Sequence, residues 1–167
     1  MAGNLVQVAT NTVTSAVSSV TLTGIDSDDV YLVTVNNIVA SASNTIDIQF
    51  TVGGSADTSS NYDFAAKNIW SGGSFANNTQ SNGSDIPFGN TIGSGSNQFH
   101  NSILYLYNFN NSSEFSFITI EESANNSNAI GRQGGGVLTV AQATDGVLIK
   151  AGTGNITSGT LTLYKVV

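Results

Sequence analysis

The pattern of apolar and polar residues along the chain is that of β-strands. The clearest instance is residues 45–52, where Ile46, Ile48, Phe50 and Val52 alternate with polar residues and so share one face of an extended segment. A slip of one residue in the pairing of this strand would expose all four apolar side chains. The segment therefore predicts a strand whose orientation in its sheet is fixed.

Other strands are predicted where β-branched and aromatic residues alternate between turn residues. A continuous apolar run at residues 30–36 predicts a strand buried on both faces. The clearest hairpin pairs residues 98–108 with 114–121, and it directs Tyr105 and Phe117 away from Leu106 and Ile118. The remaining predicted strands are two within residues 5–24, then residues 61–70, 137–141, 147–150 and 160–167.

Loops and turns are predicted between these strands, and no window repeats apolar residues at helical spacing. Residues 53–98, apart from the strand at 61–70, and residues 123–136 are rich in Gly, Ser and Asn, so both are predicted to be loops. The pattern predicts one antiparallel β-sandwich of about eight to ten strands. It spans residues 1–167 as a single domain, with residues 1–20 able to form an extended N-terminal arm.

Charge and composition narrow the classes of partner. Eleven acidic residues against four basic ones give a net charge of -7, which repels nucleic acids and anionic membrane surfaces. The absence of cysteine excludes disulfides and thiolate metal sites. The N-terminus has neither the basic segment nor the apolar run of a signal peptide, and no run of 18 apolar residues occurs. We therefore expect no nucleic-acid or membrane partner.

Catalytic chemistry has few candidate residues. His100 is the only histidine, so a serine nucleophile could be activated only there, with an acid such as Asp63 or Asp85. No serine stands in a nucleophile-elbow motif, and we interpret His100 as a strand-edge residue. Glu121 and Glu122 are adjacent in a strand and should face opposite ways, so they cannot flank one bond together. We expect no enzyme, no catalytic residues and no cofactor.

Asp26, Asp28 and Asp29 form the densest acidic group and are the only candidates for a metal site. Calcium prefers several carboxylate and carbonyl oxygens, but an EF-hand loop starting at Asp26 would need Gly at its sixth position, where Tyr31 stands. We interpret the three carboxylates as solvated turn residues, with an isolated calcium site as the alternative.

Four aromatic residues in or near residues 53–98 are candidates for contact with a partner or glycan, because aromatic rings beside Asn and Asp can stack on and hydrogen-bond to a sugar. In the alternative, Tyr62, Phe64 and Trp70 fill the core. The four candidates are Tyr62, Trp70, Phe75 and Phe88.

Three segments resemble small virion proteins of tailed, mainly marine, bacteriophages. They are DSDDVYLVTVNNIVASASNTIDIQFTVGGSADTSSNYDFAA, ILYLYNFNNSSEFSF and ATDGVLIKAGTGNITSGTLTLYKVV. The resemblance implies a β-sandwich of jelly-roll type in a capsid decoration or tail-fibre protein, and it carries no catalytic residues. The chain departs from the family pattern after Tyr164, where glycine is usual, and residues 67–98 match no part of it.

The leading hypothesis is a non-enzymatic virion protein that decorates, or cements, the capsid surface after assembly in the host cytoplasm. Its expected partners are the major capsid protein or other virion proteins and further copies of itself, with a trimer as the specific oligomer. Its N-terminal arm would add a strand to a neighbouring subunit. The alternative is a tail or fibre module that recognises host surface polysaccharide through residues 53–98, and a glycan-degrading enzyme is a third.

Overall fold

The computed structural model describes residues 3–95 and 97–167, and within them the chain forms thirteen strands and no helix. The all-β prediction is confirmed, with more strands than the eight to ten expected. The strands are β1 (Leu5–Val13), β2 (Ser19–Thr23), β3 (Tyr31–Ala40), β4 (Asn44–Val52), β5 (Ser55–Ala56), β6 (Tyr62–Trp70), β7 (Phe75–Gly83), β8 (Ile86–Ile92), β9 (His100–Tyr107), β10 (Ser116–Asn125), β11 (Ala129–Leu138), β12 (Gly146–Ala151) and β13 (Ile156–Val166).

The strands form two antiparallel sheets that pack face to face as a sandwich. The larger sheet has eight strands in the order β1-β13-β3-β9-β10-β11-β6-β7. The smaller sheet has the order β2-β12-β4-β5, and β8 pairs with β4. Strands that are distant in sequence are therefore neighbours in space, and both ends of the chain meet in the pair β1 and β13.

A jelly roll accounts for this order. Eight of the strands, β1 to β4, β8, β9, β12 and β13, pair in a nested way: the first with the last, the second with the seventh, the third with the sixth and the fourth with the fifth. Rolling up one long antiparallel hairpin produces this nesting and divides the strands between two sheets of four. The jelly-roll topology is thus present, and the other five strands are insertions into it.

Four of the inserted strands lengthen the larger sheet. We call β10, β11, β6 and β7 the extension, because they continue the sheet beyond β9 in that order. Strand β8 packs across the inner faces of β6, β10 and β11. The inner face of the extension is therefore covered mainly by one strand, β8, whereas the larger-sheet strands of the jelly roll are covered by the smaller sheet.

The core lies between the sheets and is built by alternation. On β4 the side chains of Ile46, Ile48 and Phe50 are fully buried, as predicted, whereas Val52 is 42% exposed at the end of the strand. Each such buried side chain contributes about 1.5–3 kcal/mol to stability. Residues with no exposed area from the other central strands complete this core: Val33, Val35, Leu104, Leu106, Val147, Ile149, Leu161 and Leu163.

Two predicted loops are largely strands. Residues 53–98 contain β5, β6, β7 and β8, and residues 123–136 contain the end of β10 and most of β11. Both regions are poor in β-branched residues, but a backbone ladder needs only free N–H and C=O groups and an extended chain. The strand predicted at residues 137–141 is the end of β11, which stops at Leu138.

The N-terminal segment also differs from the prediction. Residues 5–13 are not an arm over a neighbouring subunit, because they pair with β13 of the same chain as the edge strand β1. Val17 forms a further bridge to Ile156, and Val13 is buried in the core. Residues 1 and 2 lie outside the described part of the chain. What β1 leaves available to another molecule is its outer edge.

Candidate functional site

The side chain of His100 is fully buried and takes part in a polar network inside the sandwich. Its Nε2 lies 2.8 Å from Ser102 Oγ, and its Nδ1 lies 3.1 Å from Glu122 Oε1. The interpretation of His100 as an ordinary strand-edge residue is therefore wrong. The acids named for it, Asp63 and Asp85, are elsewhere: Asp63 accepts a hydrogen bond from the Asn82 N–H, and Asp85 pairs with Lys150.

Serine, histidine and glutamate in this order have the hydrogen bonds of a catalytic triad. Whether the arrangement could be catalytic depends on whether a substrate can reach Ser102 Oγ. His100 has no exposed area, Ser102 is 5% exposed, and the Phe88 ring lies 5.6 Å from the imidazole, edge to face. Both polar side chains point between the sheets, so a substrate does not reach Ser102 Oγ in this structure. The arrangement serves as a buried hydrogen-bond network.

Arg132 on β11 extends the network and is fully buried. Its Nε donates to Asn68 Oδ1 at 2.8 Å and lies 3.7 Å from Glu122 Oε2, and its Nη1 donates to the carbonyl of Pro87. Burial lowers the pKa of Arg132, and the carboxylates of Glu122 and Asp47 act in the opposite direction. Because Pro87 belongs to β8, the bond from Nη1 ties the extension to the strand that covers it.

Glu121 and Glu122 face opposite sides of β10, as alternation predicts. Glu122 is 7% exposed and accepts a hydrogen bond from the Asn90 N–H at 2.9 Å on the inner face. Glu121 is exposed on the outer face, opposite Ile103 of β9. The two carboxylates therefore cannot act together on one bond.

The three candidate metal ligands are engaged by protein side chains, and the Ser27 hydroxyl contacts both Asp26 and Asp29. Asp29 Oδ2 lies 2.7 Å from Lys165 Nζ, and this pairing lowers the pKa of Asp29. Asp28 accepts from Asn111 at 2.9 Å, and Asp26 accepts from the Tyr31 hydroxyl at 3.1 Å. Among residues 3–95 and 97–167, no three His, Asp or Glu side chains are grouped so as to hold a metal ion.

The four candidate contact aromatics divide into two pairs. Tyr62 and Phe88 have no exposed area, so the expectation that their rings contact a partner is corrected. Tyr62 bridges two strands instead: its hydroxyl accepts from the Phe50 N–H at 2.9 Å and donates to the Asp57 carbonyl at 3.0 Å. Trp70 is half-buried, and Phe75 is 64% exposed beyond the turn that joins β6 to β7.

An exposed apolar surface lies on the outer face of the larger sheet, which the smaller sheet does not cover. Phe117 on β10 stands opposite Tyr107 on β9, and Thr119 stands opposite Tyr105. Tyr105 and Tyr107 are stacked, with ring centroids 6.5 Å apart. Ile103, Tyr105 and Phe117 are each 40–43% exposed. We call Tyr105, Tyr107 and Phe117, together with the neighbouring Ile103, the aromatic row.

Beside the aromatic row runs a groove of about 610 Å³. The base of the groove is formed by three small residues that are neighbours across three strands. Gly135 of β11 lies between Thr119 of β10 and Ala65 of β6. Thr79 and Ser81 of β7 form the opposite side. Of the described residues that line the groove, Asp63 is the one carboxylate. The groove and the aromatic row form one largely uncharged surface.

Sequence reasoning placed the contact region in residues 53–98 and missed this surface as a site. Part of the signal was present, because alternation in the hairpin of residues 98–121 already placed Tyr105 and Phe117 on the face opposite Leu106 and Ile118. What the alternation could not indicate was the groove, which requires that β11 and β6 lie next to β10.

The fold and this surface define the chain as a jelly-roll β-sandwich with an exposed aromatic face. No protein-family model matches the chain, and no curated protein matches it. The resemblance to phage virion proteins therefore depends on the three quoted segments. The part of the chain that the structure describes also contains no helix long and apolar enough to cross a membrane.

Proposed function

We propose that this chain is a non-enzymatic structural protein of a phage virion, a decoration subunit that binds the head surface through its aromatic row and groove. The observation that carries the proposal is the exposure of Ile103, Tyr105 and Phe117 side by side on one sheet face. A contiguous exposed apolar patch on a protein is typical of a binding surface.

Fold and charge support the same proposal. Jelly rolls are a common architecture of viral capsid domains, although one fold serves many functions. Only 9% of the residues are charged, so binding to a capsid would depend on apolar contacts and neutral hydrogen bonds. Association of this kind is much less sensitive to salt than association driven by charge.

Location and copy number test the proposal directly. Purified particles of the phage that encodes the chain would be analysed by quantitative mass spectrometry and by immunogold labelling. We expect gold on the head and a copy number set by the symmetry of the head lattice. A handful of copies on the tail would favour the tail or fibre module instead, and absence from the particles would overturn both.

Variants test the surface. Phe117→Ala and Tyr105→Ala should reduce the amount of protein retained on particles that lack the wild-type protein. Phe75→Ala is the matched control, because Phe75 is an exposed phenylalanine outside the groove and the aromatic row. Equal retention of all three variants would show that another surface contacts the capsid. Mass measurement in solution would separately test the proposed trimer.

A further inference from the structure

A second concave surface lies at the end of the larger sheet and differs in chemistry from the groove. It has a volume of about 560 Å³ and combines five asparagines with serine and alanine positions and the ring of Phe99. This volume is within the range of about 300–1,000 Å³ usual for small-molecule sites. We call it the asparagine pocket; its asparagines are Asn37, Asn97, Asn101, Asn125 and Asn128.

We propose that the asparagine pocket binds a neutral carbohydrate. A side-chain amide carries two donors and an acceptor, and a sugar hydroxyl both donates and accepts, so the two groups match in several orientations. Phe99 is 39% exposed at the pocket and offers an apolar ring to the C–H face of a sugar. Together they supply the two kinds of contact that a pyranose needs.

The charge of the pocket indicates the class of sugar. None of the described residues that line it is ionisable, so the lining has no cation to pair with a phosphate, sulfate or carboxylate. The net charge of -7 further disfavours anionic ligands at long range. A neutral hexose or N-acetylhexosamine unit is therefore a better fit than a charged one.

Several pocket amides are not used by the fold. Asn101 Oδ1 accepts from the Asn37 N–H at 2.9 Å, and Asn125 Nδ2 makes a long contact of 3.4 Å to the Asn97 carbonyl. Within the described residues the side chains of Asn37, Asn97 and Asn128 make no hydrogen bond to the protein. Their donors and acceptors are available to a ligand.

The pocket is also held in shape before any ligand arrives. The Asn125 N–H donates to the Phe99 carbonyl at 3.0 Å, and the Asn126 N–H donates to the Asn128 carbonyl at 3.1 Å. Two hydrogen bonds join the β6–β7 turn to Ala129. The Ser71 N–H donates to the Ala129 carbonyl at 3.0 Å, and the Ala129 N–H donates to Ser71 Oγ at 3.2 Å. A preformed site loses less conformational freedom on binding.

Asn37, Asn97 and Ser127 at the rim adopt left-handed φ values of 52°, 64° and 66°. Asparagine takes this conformation more readily than most residues other than glycine, so it suits the tight turns that shape the rim. The proposal does not depend on whether the chain lies on the head or the tail of a virion.

Nuclear magnetic resonance titration of the 167-residue chain tests the proposal. The probes are the methyl glycosides of glucose, galactose, mannose and N-acetylglucosamine, with glucuronic acid as the charged comparison. We expect at least one neutral glycoside to cause saturable shifts confined to Phe99 and residues 125–129, and glucuronic acid to cause none. If no glycoside shifts these signals, or if glucuronic acid binds best, the proposal is overturned.

Substitutions locate the binding. Phe99→Ala should weaken affinity about tenfold, the loss expected when one stacked ring is removed. Phe99→Leu keeps an apolar side chain and should also weaken binding, which covers the case that the alanine variant fails to fold. Phe115→Ala is the control, since Phe115 is 43% exposed before the start of β10, at the end of that strand away from Asn125. Equal affinity of the Phe99 and Phe115 variants would contradict the proposal.

Discussion

At the residue scale, Glu122 and Arg132 form a buried pair of opposite charges. Both side chains are fully buried, and Arg132 Nε lies 3.7 Å from Glu122 Oε2, so replacing one of them leaves the other charge buried without that opposite charge. Arg132→Met should lower the free energy of unfolding by about 3–5 kcal/mol, measured by urea denaturation. Glu122→Gln should do the same, and the double variant should lose less than the sum of the two.

The matched control for this pair is Lys67→Met. Lys67 is exposed on β6, and among residues 3–95 and 97–167 its ammonium group has one hydrogen-bond partner, Asn77, at 3.2 Å. Its replacement should change stability by no more than about 0.5 kcal/mol. If Arg132→Met had an equally small effect, the network would not be what holds the extension against β8.

Asp47 gives a prediction about pH. Burial raises the pKa of Asp47, and hydrogen bonding to Thr45 only partly opposes this. The folded state therefore binds the proton more tightly than the unfolded state, so Asp47 makes stability fall as pH rises from the ordinary aspartate pKa to the raised one. Above the raised pKa the cost of the buried carboxylate is fully present.

Asp47→Asn should accordingly be more stable than the wild type at pH 7. The difference should vanish below pH of about 3, where the carboxyl group is protonated in both states. Thermal unfolding followed at several pH values would measure it. A variant that is less stable than the wild type at pH 7 would mean that hydrogen bonding to Thr45, together with attraction to Lys150 and Arg132, outweighs the burial.

At the element scale, β11 shows why a glycine-rich segment is a strand here. A Cβ atom on Gly134 would lie 2.4 Å from the Ala65 carbonyl oxygen and 2.5 Å from Ala66 Cβ, so β6 can approach β11 closely only because glycine is present. Gly134→Ala should therefore destabilise the protein by about 1–3 kcal/mol. Gly131 lies on the same strand, and its Cβ would meet its nearest neighbour at 3.7 Å.

Gly131→Ala is thus the control, and it should stay within about 0.5 kcal/mol of the wild type. Urea denaturation of the two variants side by side makes the comparison. If both alanines were tolerated equally, the close approach of β6 and β11 would not depend on glycine at position 134.

Strands β4 and β7 show how far the sequence predicts the fold. Alternation of apolar residues at 45–52 predicts β4 to within one residue, because an extended segment directs successive side chains to opposite faces. Strand β7, FANNTQSNG, has almost no apolar alternation and forms an edge held by its ladder to β6. Such strands depend on neighbours far along the chain, so no local pattern predicts them.

The candidate sites likewise divide into features that a local sequence pattern predicts and features that depend on strands distant along the chain. Alternation predicts that Tyr105 and Phe117 face away from Leu106 and Ile118, and the structure confirms this division of the two faces. The groove beside them is not predictable in this way, since it requires β11 and β6 to lie next to β10. Arg132 of β11 joins Glu122 only through the same strand order, whereas His100 and Glu122 lie on the two strands of the predicted hairpin. Register between strands, rather than residue type, determines these sites.

At the scale of the whole molecule, the nested topology makes every part of the sandwich depend on pairings between distant segments. The jelly roll needs β1 to meet β13 and β2 to meet β12, so it closes only when both ends of the chain are in place. The extension is inserted within this roll and is bonded to it through β9, through the Arg132 contact with Pro87 and through the Tyr62 contact with Phe50.

Jelly roll and extension should therefore unfold together, in one cooperative transition. Trp70 is the only tryptophan and lies in β6 of the extension, so its fluorescence reports the extension, whereas far-ultraviolet circular dichroism reports all strands. We expect the two signals to give the same urea midpoint at several protein concentrations. An earlier midpoint for Trp70 would show that the extension opens by itself, and in that case Arg132→Met should widen the gap between the two midpoints.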